Sequence, residues 1–308
     1  MTTSASTNFS LNRDALIKSS LRLINVGTEG YTPSAAEMQN ASDALNMLLK
    51  AWQADGLQLW AQKRATLFLA NGTASYNLGT SGTHATSSYT ETAIKVAASG
   101  TTIDVDSTSG MAASDYIGIV LDDDTLHWTT VSSVTDSDTV VIATALPSAA
   151  AVDNKVYFYT TKIYRPLRIT EMVRRSGKND ITLNRISRDE YFALGDKTTS
   201  GTPNQYYYDP QLDSGVLYLY QPPSDVDSTI EFIYHRPFED FDTATDTPDF
   251  PQEWYHAVRF GLAVTIAPEY GVPLKVRADL KMDAMYYKRE ALNFDREDSH
   301  IYIQPDLR

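Results

Sequence analysis

The stretch TPSAAEMQNASDALNMLLKAWQADG, residues 32–56, decides how the chain begins. Thr32 is a suitable N-cap, Pro33 suits the first helical position, and Gly56 is a typical terminator. Apolar side chains recur at steps of three and four residues, which places them on one face of a helix: Met38, Ala41, Leu45, Leu48 and Trp52. The stretch therefore predicts an amphipathic helix whose apolar face needs a partner.

A second helix is predicted just before it, over residues 13–26. Gly27 is its expected end. Its apolar side chains also share one face at helical spacing: Leu16, Ile17, Leu21 and Ile24. Because only the short link GTEGY separates the two helices, we expect them to pack as a helical hairpin.

The far end of the chain returns to helical periodicity. Pro251 can begin a helix that runs to about Ala267, and a last helix is predicted over residues 274–294. The first has an apolar face of Tyr255, Val258, Leu262 and Ile266, and the second carries Val276, Leu280, Tyr287 and Ala291. Each of these faces needs an apolar partner, so residues 13–56 and 251–294 are predicted to form one bundle.

Between the two helical ends the periodicity changes to two, which is typical of strands. Between residues 93 and 160, short β segments recur about every ten residues, separated by turn clusters. A Ser/Thr-rich linker precedes them, so residues 84–160 are predicted to be a peripheral inserted module that can be excised. The predicted fold class is α+β: a helical bundle built from both chain ends, with a central β region containing an inserted small β-barrel or sandwich module. The predicted divisions are 1–62, 63–250 with its insertion, 251–294 and an extended tail, 295–308.

Composition limits the possible functions. The chain of 308 residues has no cysteine, which excludes disulfides and thiolate sites, and its net charge is −13, unlike the basic footprint of most nucleic-acid binders. No signal peptide and no membrane span are expected. Against the acidic background, residues 162–188 carry eight basic and two acidic side chains, a net +6. The run also contains Lys178, and the predicted interface residues within it are Lys162, Arg165, Arg168, Arg174, Arg175, Arg185 and Arg188.

The stretch IVLDDDTLHWTTV, residues 119–131, places three aspartates beside a histidine. A metal site is one interpretation, but a calcium loop needs regular ligand spacing and a distal glutamate. Aspartate also favours turns, so the tip of a β-hairpin is the preferred interpretation of Asp122 to Asp124, with His127 on the following strand. No catalytic motif of the common hydrolase, metalloprotease or nucleotide-binding types occurs. We expect neither an enzyme nor a cofactor or metal.

Two further stretches leave alternatives open. The carboxylates of residues 239–249 suggest a paired acid and base of a cell-wall hydrolase, or a solvated acidic linker, which we prefer. Tyr206, Tyr207 and Tyr208 suggest a stacking platform for a sugar or base, or an ordinary strand, again preferred. An exposed aromatic face of this kind would favour the alternative function, a carbohydrate-binding or tail-fibre-like β protein.

The tail, residues 295–308, begins with a charged stretch and then alternates. Ile301 and Ile303 fall on one face of a short strand and Tyr302 on the other. Because so short a strand is not stable alone, we predict a tail that is mobile in the monomer and ordered in an assembly, where it acts as a latch.

Two stretches resemble a known family. RDALIKSSLRLINVGTEGYTPSAAEMQNASDALNMLLKAWQADGLQLW, residues 13–60, resembles the opening of head-to-tail adaptor proteins of short-tailed double-stranded DNA phages, also called tail tubular protein A or packaged-DNA stabilisation proteins. WYHAVRFGLAVTIAPEYGVPLKVRADLKMDAMYYKREAL, residues 254–292, resembles the returning helix pair of that family. Residues 183–223 are similar to the β part of adaptor-like proteins of phages, and residues 110–134 to a small β module of phage virion proteins.

The resemblance implies a structural role without catalysis. Such proteins form a ring of twelve copies under the portal protein, extend the DNA channel and seat the tail nozzle or tail fibres. The implied partners are other copies of the chain, the portal, a nozzle or fibre protein, and genomic DNA that passes without specific binding; no membrane is implied. The implied location is the neck of the virion tail, after assembly in the host cytoplasm.

Overall fold

The computed structural model describes residues 5–26, 31–54 and 59–295. The chain divides into two compact units, Met1–Ala61 with Phe238–Arg308, and Gln62–Pro237. The predicted α+β class is confirmed, with sheets predominating. The helices are α1 (Arg13–Leu23), α2 (Ala35–Ala54), α3 (Arg188–Ala193), α4 (Tyr255–Ile266) and α5 (Leu274–Phe294).

The first unit contains α1 and α2, and their N-termini are capped by side chains. The Asn12 side chain accepts a hydrogen bond from the backbone N–H of Ala15 at 2.8 Å. At α2 the prediction of Thr32 and Pro33 as the start is wrong, because Ser34 and Glu37 form a reciprocal cap and the helix begins at Ala35. This arrangement satisfies two otherwise unpaired backbone N–H groups, which Thr32 could not do from two residues earlier. The predicted terminator, Gly56, lies outside the described residues.

The apolar faces predicted for α1 and α4 are confirmed: all four named side chains of each are buried. A short 3₁₀ turn, Gln252–Trp254, leads into α4. In α5, Leu280 and Ala291 are buried but Val276 is exposed, so that part of the predicted face is wrong. Val276 lies in the first turn of α5, before Leu280, the first buried side chain of that helix.

Buried side chains from both ends of the chain meet in one hydrophobic cluster of this unit. It includes Leu16, Ile17, Leu45, Val258, Leu262 and Leu280. The helices approach closely at Gly261, where an added Cβ would lie 2.8 Å from the Trp52 ring and 3.1 Å from the Leu48 side chain. A larger residue at this position would separate α4 from α2.

The second unit contains all the strands and α3. Its strands are β1 (Gln62–Phe68), β2 (Ser75–Leu78), β3 (Ala85–Thr86), β4 (Thr90–Ala93), β5 (Thr102–Asp104), β6 (Tyr116–Val120), β7 (Leu126–Val134), β8 (Thr139–Ile142), β9 (Lys155–Tyr159), β10 (Arg168–Ser176), β11 (Asn179–Thr182), β12 (Asn184–Arg185), β13 (Gln205–Pro210), β14 (Gly215–Tyr220) and β15 (Thr229–His235). A five-stranded sheet in the order β11-β10-β15-β1-β3 and a four-stranded sheet in the order β12-β13-β14-β2 share one core. That core is rich in aromatic side chains: Tyr76, Tyr206, Tyr208, Phe232 and Tyr234.

The predicted module forms a sheet of its own in the order β4-β9-β6-β7-β8-β5. The sheet curls, and an antiparallel bridge between Ile94 and Val105 joins the ends of its two outermost strands. Its aliphatic side chains enclose a separate core that includes Ile103, Ile117 and Ile142. The module therefore has the hydrophobic centre that a small folded unit requires.

Two stretches between the helical ends depart from the predicted strand periodicity. The described part of LQLW, residues 57–60, belongs to a 3₁₀ turn, Leu59–Ala61, that precedes β1. The helix α3 interrupts a region that reads as continuous β structure. Its capping box, with Ser187 and Glu190, is a sequence signal that alternation alone does not detect. Among the residues that the structure describes, no helix combines the length and the hydropathy that a membrane crossing requires.

Candidate interaction surface

The basic run of residues 162–188 extends over several elements of the second unit. Lys162 and Arg165 lie in the connection after β9, Arg168, Arg174 and Arg175 on β10, and the last two, Arg185 and Arg188, on β12 and at the start of α3. β10 and β11 form an antiparallel hairpin in which Arg175 lies opposite Asp180. The run is therefore not one continuous face, and the environment of each cation decides its role.

A buried carboxylate on the central strand β15 is paired with two cations of this unit. Glu231 is 3% exposed, and Arg64 on β1 and Arg175 on β10 form ion pairs with its two oxygens. Both arginines occupy diagonal positions on the neighbouring strands, within reach of long side chains. A buried charge is stable only when it is paired, so these arginines are structural.

Arg175 also makes a fork of two hydrogen bonds to Asp180, with distances of 2.7 Å and 2.6 Å. The hydrogen bond to Asp180 raises the pKa of Arg175, and the guanidinium of Arg175 lowers the pKa of Asp180. Arg174 donates to the Ser228 hydroxyl at 3.2 Å, and Arg165 donates to the carbonyl of Gln211 at 3.2 Å. These contacts hold all three guanidinium groups against the protein surface.

Lys162 belongs to an aromatic cluster that joins the module to the rest of the unit. Its ammonium group donates to the carbonyl of Gly82 at 2.6 Å and lies 5.0 Å from the centre of the Tyr116 ring. Burial lowers the pKa of Lys162. Both contacts stabilise the charge inside the protein, so Lys162 is also a structural cation.

His84 lies at the centre of the same cluster. Its ring stacks on Trp128 with the centres 3.9 Å apart, and its Nδ1 is 2.6 Å from the Tyr159 hydroxyl. Burial, and to a smaller extent the charge of Lys162, lowers the pKa of His84 to about 3. Histidine in this position stays neutral near pH 7, and its role is packing and one hydrogen bond. Sequence reasoning did not identify this cluster, because its members are distributed over 80 residues without a shared motif.

Four exposed cations remain of the run and are called the exposed basic patch, although they lie on separate elements, at the start of β10, in the β10–β11 turn, on β12 and at the start of α3: Arg168, Lys178, Arg185 and Arg188. In the described part of the chain, none of these four side chains forms an ion pair or a hydrogen bond. Arg188 lies over the ring of Phe192, 5.7 Å from its centre, and Phe192 is itself 62% exposed. Ile181 on β11 is also 48% exposed. Cations beside accessible apolar side chains are typical of protein interfaces.

The other stretches singled out from the sequence have structural explanations. Val120 pairs with Leu126 across the turn, so the hairpin interpretation of Asp122 to Asp124 is confirmed. Asp122 accepts from the N–H of Ala151 and from the Asn154 side chain, at 2.8 Å and 2.9 Å. Within the described ranges, no three His, Cys, Asp or Glu side chains are grouped closely enough to hold a metal ion.

The acidic stretch of residues 239–249 is a loop that carboxylates organise. Asp246 accepts from the backbone N–H groups of Asp242 and Thr243, and the N–H of Glu239 donates to Asp249. Hydrogen bonds from Thr243 lower the pKa of Asp246, opposite to the raised pKa that a general acid needs. Glu239 and Asp242 are left exposed. The loop presents negative charge to solvent.

The three tyrosines of β13 are all buried. Tyr206 and Tyr208 lie in the shared core, and Tyr207 stacks against Tyr218 on the opposite face, where Tyr191 of α3 also packs. They do not form the exposed aromatic face that a sugar-binding strand would require. The remaining predicted interface residues, Ile301, Tyr302 and Ile303, lie outside the described residues.

Comparison with known proteins adds no relative. A scan against protein-family models finds no match, and a search of curated proteins finds none that is significantly similar.

Proposed function

We propose that the protein is a structural virion component: a head-to-tail adaptor that forms a ring of twelve copies, joins the portal to the tail nozzle or fibres, and extends the DNA channel. The observation that carries this proposal concerns residues 13–60 and 254–292, the two segments that resemble the adaptor family. They belong to one compact unit and share a hydrophobic cluster, as expected of two segments that act together in one function.

The proposal includes a specific fold for this unit. We propose that α1, α2, α4 and α5 form a helical bundle built from both chain ends. The contacts of α4 support it, because Val258 and Leu262 pack in the same cluster as Leu16 and Leu45. A ring subunit that holds its two ends together in this way can carry an insertion between them without losing its helical body.

The proposed ring contact is between unlike surfaces. Copies with a net charge of −13 repel one another unless opposite charges meet locally. The exposed basic patch and the acidic loop of residues 239–249 are suitable complements. Contact of one surface with a different surface on the next copy generates a ring when the rotation closes.

The proposed role toward DNA is passive. An acidic wall repels phosphate, so genomic DNA moves past it without specific binding during packaging and ejection. The proposal assigns no catalysis, no cofactor and no membrane contact. The proposed site of action is the neck of the virion, with assembly in the host cytoplasm.

The test is assembly with the portal protein of the same phage. Mass photometry should detect a complex that has gained twelve copies of this chain, and electron microscopy should show a ring with twelvefold symmetry under the portal. The variant Arg185→Glu/Arg188→Glu should lose the ring, because it replaces attraction to the acidic loop by repulsion.

A control variant with the same change of net charge, Lys63→Glu/Lys275→Glu, lies outside the basic patch at two exposed positions and should still assemble. If the wild-type protein stays monomeric on the portal, the adaptor function is wrong. If both variants assemble equally well, the function stands but the basic patch is not the contact.

A further inference from the structure

A groove in the first unit collects positive charge in a protein whose net charge is −13. It has a volume of about 740 Å³ and lies between residues 5–12, the N-terminal arm, and the helices α1 and α4. Three of its cations are Lys18 and Arg22 on α1 and Arg259 on α4. Lys18 and Arg22 share one face of α1, about 6 Å apart along its axis. The volume is typical of sites for small organic ligands.

The described part of the chain does not neutralise these three cations. No described carboxylate lies within ion-pair distance of them. Arg259 donates from its Nε to the carbonyl of Ser19 at 3.3 Å, which holds the guanidinium against α1. Burial, and next the charge of Arg22, lower the pKa of Arg259. Like charges one turn apart on a helix also destabilise it, so an anion among the three cations would replace repulsion by attraction. The several acceptor oxygens of a phosphate group suit guanidinium and ammonium donors.

One wall of the groove is aromatic. Phe9 and Tyr255 line it, with their ring centres 6.0 Å apart in an edge-on arrangement. Gln252 donates to the carbonyl of Thr7 at 3.1 Å, which holds the arm, and Phe9 with it, beside the start of α4. Phe9 is nevertheless 63% exposed. Accessible aromatic rings are platforms on which bases of any kind stack. Inorganic phosphate would leave this ring uncovered, whereas a phosphate ester with a planar group would cover it.

A carboxylate in the groove distinguishes between anionic ligands. Glu253 lines the groove and is exposed. An ionised carboxylate accepts hydrogen bonds and cannot donate them. It therefore repels the side chains of an acidic peptide, but it can accept from the hydroxyl groups of a ribose or from the amino group of a base. Cations, an aromatic ring and one acceptor together match the three parts of a nucleotide.

We infer that the groove binds a nucleotide, with its phosphate on Lys18, Arg22 and Arg259. The base stacks on Phe9, and Glu253 accepts from the hydroxyl or amino groups. A free nucleotide and the end of a single DNA strand share this chemistry. A duplex keeps its bases stacked inside and offers the groove only phosphate, so weak duplex binding is still expected. The inference concerns binding alone and goes beyond the adaptor function, on which it does not depend.

Isothermal titration calorimetry with adenosine monophosphate, adenosine and inorganic phosphate tests the inference. We expect adenosine monophosphate to bind about tenfold more tightly than either of the others, because it alone contacts both the cations and the aromatic wall. Lys18→Gln/Arg22→Gln should weaken its binding about tenfold and leave adenosine unaffected. The matched control, Lys63→Gln/Lys275→Gln, removes the same charge at two exposed positions outside the groove and should bind like the wild type.

Glu253→Gln provides a test with opposite signs for two ligands. Adenosine monophosphate should bind less tightly, because the amide is a weaker acceptor than the carboxylate. Inorganic phosphate should bind more tightly, because a repelling charge is gone. Phe9→Ala should weaken the binding of adenosine monophosphate about fivefold, through loss of stacking, and leave inorganic phosphate unchanged.

Two results with these ligands would overturn the inference: equal affinity for adenosine monophosphate and inorganic phosphate, or tighter binding of adenosine monophosphate to Glu253→Gln. Tighter binding of a tetraglutamate peptide than of adenosine monophosphate would also overturn it and assign the groove to an acidic peptide.

A single-stranded oligonucleotide with a terminal phosphate identifies the source of the nucleotide. Tighter binding of this strand than of both adenosine monophosphate and the dephosphorylated strand supports the end of a DNA strand as the ligand. Binding of adenosine monophosphate at least as tight as that of the strand supports a free nucleotide. Ring assembly on the portal, measured separately, shows whether the adaptor function stands when nucleotide binding fails.

Discussion

Glu231 illustrates how a single buried charge organises the five-stranded sheet. Replacement by glutamine keeps the shape but removes the charge that Arg64 and Arg175 neutralise. Both arginines reach solvent, so the loss is smaller than for a fully enclosed pair, and we expect a decrease of about 1–3 kcal/mol in the free energy of unfolding. Urea denaturation measures it. Glu171→Gln on the same sheet is the control, since Glu171 is exposed, and equal effects of the two variants would contradict the structural role of Glu231.

His84 predicts a pH dependence of stability. Its pKa is lowered from 6.5 to about 3 in the folded protein, so the unfolded chain binds the proton more readily. The contribution of neutral His84 to stability is therefore complete above pH 6.5 and is lost as the pH falls from 6.5 towards 3. Partial solvent access reduces the size of the effect.

The measurement compares the wild type with His84→Gln by urea denaturation at pH 7 and pH 5. We expect the wild type to lose more stability between these two pH values than the variant does. His127→Gln, at a position where the ring is 3.2 Å from the Thr144 hydroxyl and is not stacked in the His84 cluster, controls for the removal of a histidine. A wild-type loss no larger than that of His84→Gln would show that His84 is accessible to protons in the folded state.

Sequence patterns identified individual buried residues well only where periodicity was strong. Leu16, Leu45 and Leu262 were predicted from helical spacing and are buried. Glu231 was not, because a glutamate on a strand of mostly apolar residues indicates solvent exposure unless its cations are known. Arg64 and Arg175 are separated from it by 167 and 56 positions, and only the strand order brings them together.

The apolar side chains of α2 contribute unequally to the stability of the helical unit. Leu45 is fully buried, whereas Leu48 is half-buried at the position where α4 approaches through Gly261. We expect Leu45→Ala to cost about 2–5 kcal/mol and Leu48→Ala about 1–2 kcal/mol in the free energy of unfolding. Thermal or urea unfolding of the two variants distinguishes them. A larger loss at Leu48 would mean that the face of α2 is rotated from the one described.

Deletion of the module of β4 to β9 tests the hypothesis that it is an insertion the rest of the protein can lose. It has its own core, but Phe68 of β1 is only 2% exposed and packs on Trp128 and Tyr157 of the module. Deletion of residues 90–159 would expose this ring. We therefore expect the excised protein to aggregate, and to become soluble when Phe68→Thr and Val226→Ser are added.

Size-exclusion chromatography and circular dichroism measure that outcome. Val226 belongs to the same cluster as Phe68, so both substitutions act on the surface uncovered by the deletion. Aggregation that persists after both changes would show that the module is required for the folding of the five-stranded and four-stranded sheets. Excision then would not be possible, and the insertion boundary predicted from the Ser/Thr-rich linker would be incorrect.

The sequence predicted the boundaries of helices and strands correctly where turn-forming or capping residues mark them unambiguously. The register of the β6–β7 hairpin agrees with the turn preference of Asp122 to Asp124. The start of α2 was misplaced because Thr32 and Pro33 imitate a cap, whereas Ser34 and Glu37 complete one. The order of strands in the sheets depends on contacts between distant residues, and no local pattern in the chain specifies them.

For the whole molecule, the sequence specifies the net charge but does not predict where the charged side chains lie in the fold. The net charge of −13 follows from composition, but the distribution of cations does not. Lys18, Arg22 and Arg259 meet in one groove although more than 200 residues separate α1 from α4. Conversely, the run from Lys162 to Arg188 looks like one surface in sequence and divides into structural and exposed cations in the fold.

This division predicts weak binding of the whole protein to DNA. The exposed basic patch offers at most four cations, and the acidic remainder of the molecule opposes their attraction for phosphate. Release of few counterions gives a shallow dependence on salt, with a slope of the logarithm of affinity against the logarithm of salt concentration of about −3 to −4 at most. We expect affinity for duplex DNA weaker than about 1 µM near physiological salt, because charge repulsion at long range reduces the association rate as well.

Fluorescence anisotropy with a labelled duplex, titrated at several salt concentrations, measures both quantities. Arg185→Glu/Arg188→Glu should lower the residual affinity further and flatten the slope, while Lys63→Glu/Lys275→Glu, with the same net charge, should change the affinity less. Sub-micromolar affinity of the wild type near physiological salt would contradict the proposed passive role toward DNA. If the two variants behaved alike, the residual binding would respond to total charge, and the exposed basic patch would have no particular role in contact with DNA.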